Sequence, residues 1–193
     1  MKPVLRLATA IALCLIGSSA VAQTNMVPLR LRAGINTVAN IAGDGRSGTI
    51  TLNWRENGNA WGYDIYTVVV SGSVVTHEVD GVYLDSFHDT PHMGDDMVTS
   101  VRFARGSFAG RATLLALVAS RNYENSVPEP ARTTITIYAL MRNDSGTGTP
   151  FEFTQISQRL TERRYCNADM ALRTELGFPL SGSYSGPSTA SGC

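Results

Sequence analysis

Residues 49–142 follow a period-two alternation cut at intervals by glycine-bearing turns, and this constrains the fold more than any other feature of the chain. Within 49–55, Ile50, Leu52 and Trp54 fall on one face and Thr51, Asn53 and Arg55 on the other, as in a half-buried strand that directs Trp54 to the core. Asn57-Gly58-Asn59 is a turn, and 62–71 is rich in aromatic and β-branched residues (Tyr63, Ile65, Tyr66, Val68, Val69, Val70), so the two runs form a hairpin. Residues 73–79 and 81–87 continue the pattern as a meander around Gly72 and Asp80-Gly81.

After a polar stretch at 88–96, the alternation resumes over 97–105 with Met97, Val101 and Phe103 toward the core. Residues 111–120 are apolar on both faces, as in a central strand, although a short buried helix would show the same composition. Val127-Pro128-Glu129-Pro130 is a stiff, extended connection and 133–142 the last long strand, with Phe151, Phe153 and Ile156 forming a short one after the turn at 145–149. Residues 26–33 alternate around Val27, Leu29 and Leu31, and Pro28 suits that strand to a sheet edge.

The period then changes. Asn167 is a helix N-cap, Met170, Leu172 and Leu176 lie on overlapping helical faces, and Gly177 followed by Pro179 supplies the stop. The predicted fold is mainly β, an antiparallel β-sandwich or a partly open barrel with a short C-terminal helix.

The chain begins with Lys2 and Arg6, an apolar run from Leu7 to Ile16 and an Ala20-Val21-Ala22 site, the three parts of a secretory signal. Residues 1–22 are therefore expected to be cleaved and the remainder to be periplasmic or secreted, with 23–180 a single β-rich domain and 181–193 a Ser/Gly-rich tail. No later segment is apolar for the roughly 20 residues a membrane helix needs. Two cysteines remain after cleavage, Cys166 and Cys193, and in an oxidising compartment the expected bridge between them tethers the tail beside the helix start.

Beyond residue 22 there are fourteen arginines against sixteen acids, a formal charge of −2. This balance argues against general nucleic-acid binding, which needs a basic footprint. No G-x-S-x-G, H-E-x-x-H or glycine-rich phosphate loop is present, so an enzyme is disfavoured.

Three features point to chemistry. Trp61 lies at the expected hairpin tip, where with Tyr63 or Tyr66 it forms an aromatic surface for a protein or glycan partner, or else folds back over the sheet edge. Residues 77–96 hold all three histidines (His77, His88, His92) among acids that include Asp85, Asp89, Asp95 and Asp96, and no Lys or Arg occurs from Glu56 to Val101. Imidazole and carboxylate are transition-metal ligands, so a divalent metal on His77, His88, His92, Asp89 and Asp95 is the alternative, against a solvated acidic loop. No cofactor is otherwise expected. Arg159, Arg163 and Arg164, and Arg102 on a strand face with Ser100 and Ala104, are either anion contacts or salt-bridged surface.

The leading expectation is thus an exported, non-catalytic binding protein recognising a protein or glycan partner through loops of a β domain. A metal-binding or metal-dependent protein, and an envelope-assembly subunit pairing through an edge such as 26–33, are the alternatives.

Overall fold

The computed structural model describes residues 26–56, 58, 62–90, 97–146, 148–181, 184 and 186–193. The signal-like segment 1–22 lies outside them, as do Trp61, His92, Asp95 and Asp96. The elements run β1 (Val27–Pro28), β2 (Gly34–Val38), β3 (Gly48–Arg55), β4 (Tyr63–Val70), β5 (Ser73–Val74), β6 (Thr76–Val79), β7 (Val82–Leu84) and β8 (Phe87–His88). They continue with β9 (Thr99–Phe108), β10 (Arg111–Arg121), β11 (Ala131–Arg142), β12 (Phe151–Tyr165) and α1 (Ala168–Leu176).

Two sheets pack as a sandwich and neither closes into a barrel. One has the order β1-β9-β10-β11-β12-β6-β7; the other is β2-β3-β4-β5, with β8 also paired to β4. Neighbours are antiparallel except β12 and β6, which run parallel over Glu152↔Thr76 and Phe153↔His77. Between the sheets lie Ile50, Val68 and Val70 from one side and Val101, Phe103, Leu114, Ala116 and Leu140 from the other.

The second face of the larger sheet is covered by α1, where Ala168, Leu172 and Phe178 pack on Leu115, Leu117, Ala119, Ile135 and Ala139. Strand β10 is thereby buried on both faces, which accounts for its unbroken apolar run. The helix has its expected ends: the Asn167 side chain accepts from the Asp169 N–H, and Gly177 is left-handed at φ 68°. The loop before β3 plugs the sandwich with the fully buried Ile41. It needs a glycine at 43, where φ is 76° and a Cβ would overlap the Ala112 carbonyl.

Four expectations are corrected. Trp54 does keep the parity of Ile50 and Leu52, but its strand overhangs the core and the indole is 51% exposed. The ring lies against Gly62, where a Cβ would overlap it, and its Nε1 donates to Glu56. The chain does not stay in one meander after β4: Val75, still bonded to Val68 O, is the corner at which β6 and β7 cross to the larger sheet.

Residues 126–129 form a turn rather than an extended link, closed by Glu129 N–H on Ser126 O at 3.1 Å. It turns the Val127 and Glu129 carbonyls toward the buried Arg121 guanidinium, 2.6 Å from each. Finally, the segment beginning at Phe151 is a strand of fifteen residues, the longest described. Its pairing with β11 has two register shifts, and only Phe151, Phe153, Thr161 and Tyr165 along it are buried, with a long solvated stretch between the second and third. Thr161 patches one shift, its hydroxyl accepting from Thr133 N–H and donating to Arg163 O.

Candidate functional site

At one edge of the sandwich, where β9 meets the short β1, the two sheets part and leave a cleft of about 520 Å³. Its walls come from the coil after β1 (Leu29, Leu31), from β3 (Leu52) and from the segment after α1 (Phe178, Pro179, Leu180). At its base are Tyr66, Asp89 and Arg102, with Asp64 also lining it.

Alternation places the polar groups there. In Phe87-His88-Asp89, Phe87 and Asp89 point inward and His88 outward, so a carboxylate occupies an apolar position and is only 1% exposed. Asp89 Oδ1 accepts from the Val101 N–H at 2.7 Å, and Oδ2 accepts from the Tyr66 hydroxyl at 3.2 Å with Arg102 Nη1 at 3.8 Å. Arg102 is bound more closely on its other side, its Nη2 donating to both oxygens of Asp169 in the first turn of α1 (2.5 and 2.6 Å). Asp169 also accepts from Ser100 Oγ at 2.5 Å and from the Ser181 N–H at 3.1 Å, which ties strand, helix and post-helix segment together. The buried Nε of Arg102 has no acceptor among the described residues.

The two carboxylates respond oppositely to one guanidinium. For Asp169, burial favours the neutral acid, but Arg102 and the hydrogen bonds from Ser100 and Ser181 outweigh it and hold the pKa below 3.8. For Asp89, burial prevails over the more distant Arg102 and the Val101 bond, and pushes its pKa up to about 7. Burial likewise holds the Tyr66 phenol far above its usual range, reinforced by Asp89. Burial opposes the charge on Arg102, yet Asp169 and Asp89 raise its pKa further still.

A test follows from Asp89. The folded chain retains this proton to about pH 7, whereas an unfolded aspartate releases it near 3.8, so folding takes up a proton between those values. The contribution of Asp89 to stability is therefore fully present below 3.8 and declines as pH rises to about 7. Asp89→Asn is expected to flatten that decline in urea midpoints measured from pH 4 to 7; an unchanged slope would show that Asp89 ionises normally.

The residues singled out from the sequence are dispersed. Tyr66 and Asp89, chosen for different chemistries, meet in the cleft together with Arg102. Tyr63 lies on the opposite face of β4 from Tyr66, half-buried, with the Arg55 guanidinium 5.7 Å above its ring and His88 5.8 Å away, so the two tyrosines share no surface. His77 is inside the sandwich, stacked on Phe87 at 3.9 Å, and burial with His88 nearby lowers its pKa to about 4. Among the described residues no group of three or more His, Cys, Asp or Glu is placed to hold a metal ion. Trp61, His92 and Asp95 lie outside those residues.

Arg159 pairs with Glu175 on α1 at 2.8 Å and Arg164 donates to Pro130 O, whereas Arg163 is exposed and its carbonyl serves Thr161. The Cys166 and Cys193 sulfurs are at bonding distance, 2.16 Å. Sequence reasoning missed Asp64, Asp169 and the apolar walls. An acid in the first turn of a helix reads as helix-end chemistry, and nothing local links Asp169 to Arg102, 67 residues away. The inward parity of Asp89 beside Phe87 was a signal available in the sequence.

No helix among the described residues is long and apolar enough to cross a membrane. No protein-family model matches the chain, and a search of curated proteins found no match. The crystal structure of CarG is similar to this chain with a TM-score of 0.61, 19% identity, and coverage of 76% of this chain and 94% of that one, a likeness of fold alone.

Proposed function

We propose that this chain is an exported, non-catalytic binding protein whose protein or glycan partner is held in the cleft between the 28–31 and 178–181 segments. The observation that carries this reading is the cleft's division of labour. Its leucine, proline and phenylalanine walls suit an apolar side chain or the apolar face of a sugar, while the polar groups at its base are largely engaged with one another. Ser100 is committed to Asp169, and among the described residues neither His77 nor His88 lines the cleft. The apolar walls favour a protein side chain over a hydrated glycan.

Native mass spectrometry of the protein isolated from its own host tests this directly. The expected spectrum starts at Gln23 and carries a non-covalent partner that is lost in Leu31→Trp, which fills the cleft, and kept in Trp61→Ala. Partner loss only in Trp61→Ala would move binding to the hairpin tip. A chelator-sensitive mass increment would replace this reading with the histidine site, and an uncleaved chain would refute export.

A further inference from the structure

The two ends of the seven-stranded sheet differ. At the β1 end the strand is two residues long and contains Pro28, which has no N–H to offer, so that edge is blunted. At the other end is β7, which has neither proline nor charge: Val82, Tyr83 and Leu84 are 59%, 65% and 36% exposed. An edge of this kind normally carries a lysine, a proline or a covering loop. Here no described strand pairs with its outer side.

The hairpin that presents this edge is well formed. Asp80 and Gly81 both have positive φ (50° and 82°), the two-residue turn whose twist matches its strands, and it sets Val79↔Val82, Glu78↔Tyr83 and His77↔Leu84 opposite one another. Pairs next to such a turn alternate between bonded and non-bonded, beginning with a bonded one, so Tyr83 belongs to a non-bonded pair and its N–H and C=O point away from β6. Those groups are free to receive another strand.

The two faces of the hairpin differ in chemistry. Val79, Val82 and Leu84 form one face. Tyr83 and Glu78 are on the other and border a pocket of about 330 Å³ that also includes Asp80 and Glu152 and contains no Lys or Arg. Nor does any Lys or Arg occur between Glu56 and Val101.

We propose that β7 is a strand-addition site for an extended segment of a partner protein in which apolar and basic residues alternate. Its apolar side chains lie along Val82 and Leu84, its Arg or Lys side chains reach Glu78 and Asp80, and its main chain pairs with Tyr83. A second copy of this chain is a poor occupant, because edge-to-edge pairing of two β7 strands brings acidic hairpin against acidic hairpin. The site is separate from the cleft and does not depend on what the cleft binds.

Fluorescence anisotropy with labelled nine-residue peptides tests the proposal on the purified full chain. A peptide alternating Val and Arg is expected to bind, and to bind at least about tenfold more weakly to Tyr83→Pro, which removes the outward N–H without breaking a bond to β6. Glu78→Lys, an exposed change that leaves the turn intact, is expected to weaken it about fivefold and to reduce its salt dependence. Circular dichroism establishes that each variant is folded; if Tyr83→Pro is not, Glu78→Lys decides. Equal affinity for a peptide with the same Val and Arg residues in two blocks would overturn the proposal, since general charge attraction would suffice. Equal affinity for alternating Val and Glu, no binding at all, or dimerisation of the wild type that Tyr83→Pro abolishes would also overturn it.

Discussion

Asp169→Ala is expected to destabilise the protein by about 3–5 kcal/mol, because it leaves the Arg102 guanidinium buried without its closest counter-charge. Asp169 is 2% exposed and accepts from Arg102, Ser100 and Ser181, so a single truncation unties β9, α1 and the cleft's post-helix wall together. Against a typical total stability of about 5–15 kcal/mol this is a large fraction. Urea unfolding at neutral pH measures it.

The double change Arg102→Met with Asp169→Leu is expected to recover much of the loss, since removing both charges avoids the uncompensated one. The dependence on pH has a definite sign. The pKa of Asp169 is depressed below 3.8 in the folded state, so its stabilisation is present above that value and is lost as pH falls through the folded pKa. The wild type and Asp169→Ala should therefore converge in strong acid. A gap that persists there would mean that packing, and not charge, holds the helix to the sheet.

Cys193→Ser is expected to cost about 3–4 kcal/mol in the chain-entropy description of a bridge spanning a separation of 27 residues. The described contacts of the tail it anchors with the helix and strand end include Ser181 N–H to Asp169, Cys166 N–H to Ser191 O at 3.0 Å, Thr174 Oγ1 to Ala190 O at 2.9 Å, the approach of Gly192 to Met170, and Tyr184 packed on Tyr165, Met170 and Ala171. Thermal unfolding with and without reductant should bring the wild type down to the variant, with the variant indifferent to reductant. If reductant leaves the wild type unmoved, the tail is docked by these contacts alone.

Much of the fold was legible because local rules and tertiary structure agree. The alternation in β3, β4 and β9, the two-faced apolar run of β10, and the Asn167 and Gly177 caps all specify the element that forms. Strand β12 was not legible beyond its first residues. Bulges interrupt its register and much of it is solvated, so Thr154, Gln155, Arg159 and Arg164 look like loop residues although they are in the ladder. The departure of β6 from the meander was hidden for a different reason: its partner is Phe153, far along the chain, and a parallel pairing leaves no turn between the two strands to announce it. The site was half legible. Tyr66, Asp89 and Arg102 each stand out as residues, but their convergence depends on how β4, β8 and β9 are brought together, and Asp169 joins them only because α1 packs on the opposite side of the sheet.

The parallel seam between β12 and β6 also sets an order of events as the chain emerges. Strands β9 to β12 are joined by successive hairpins and can zip up as each is made, whereas Thr76 and His77 must wait for Glu152 and Phe153. Until then the β6–β7 hairpin has two open edges in a crowded compartment, with four exposed apolar side chains between Val79 and Leu84. Glu78, Asp80 and Asp85 stand among and beside those apolar side chains, the placement by which acids discourage association of incompletely folded copies.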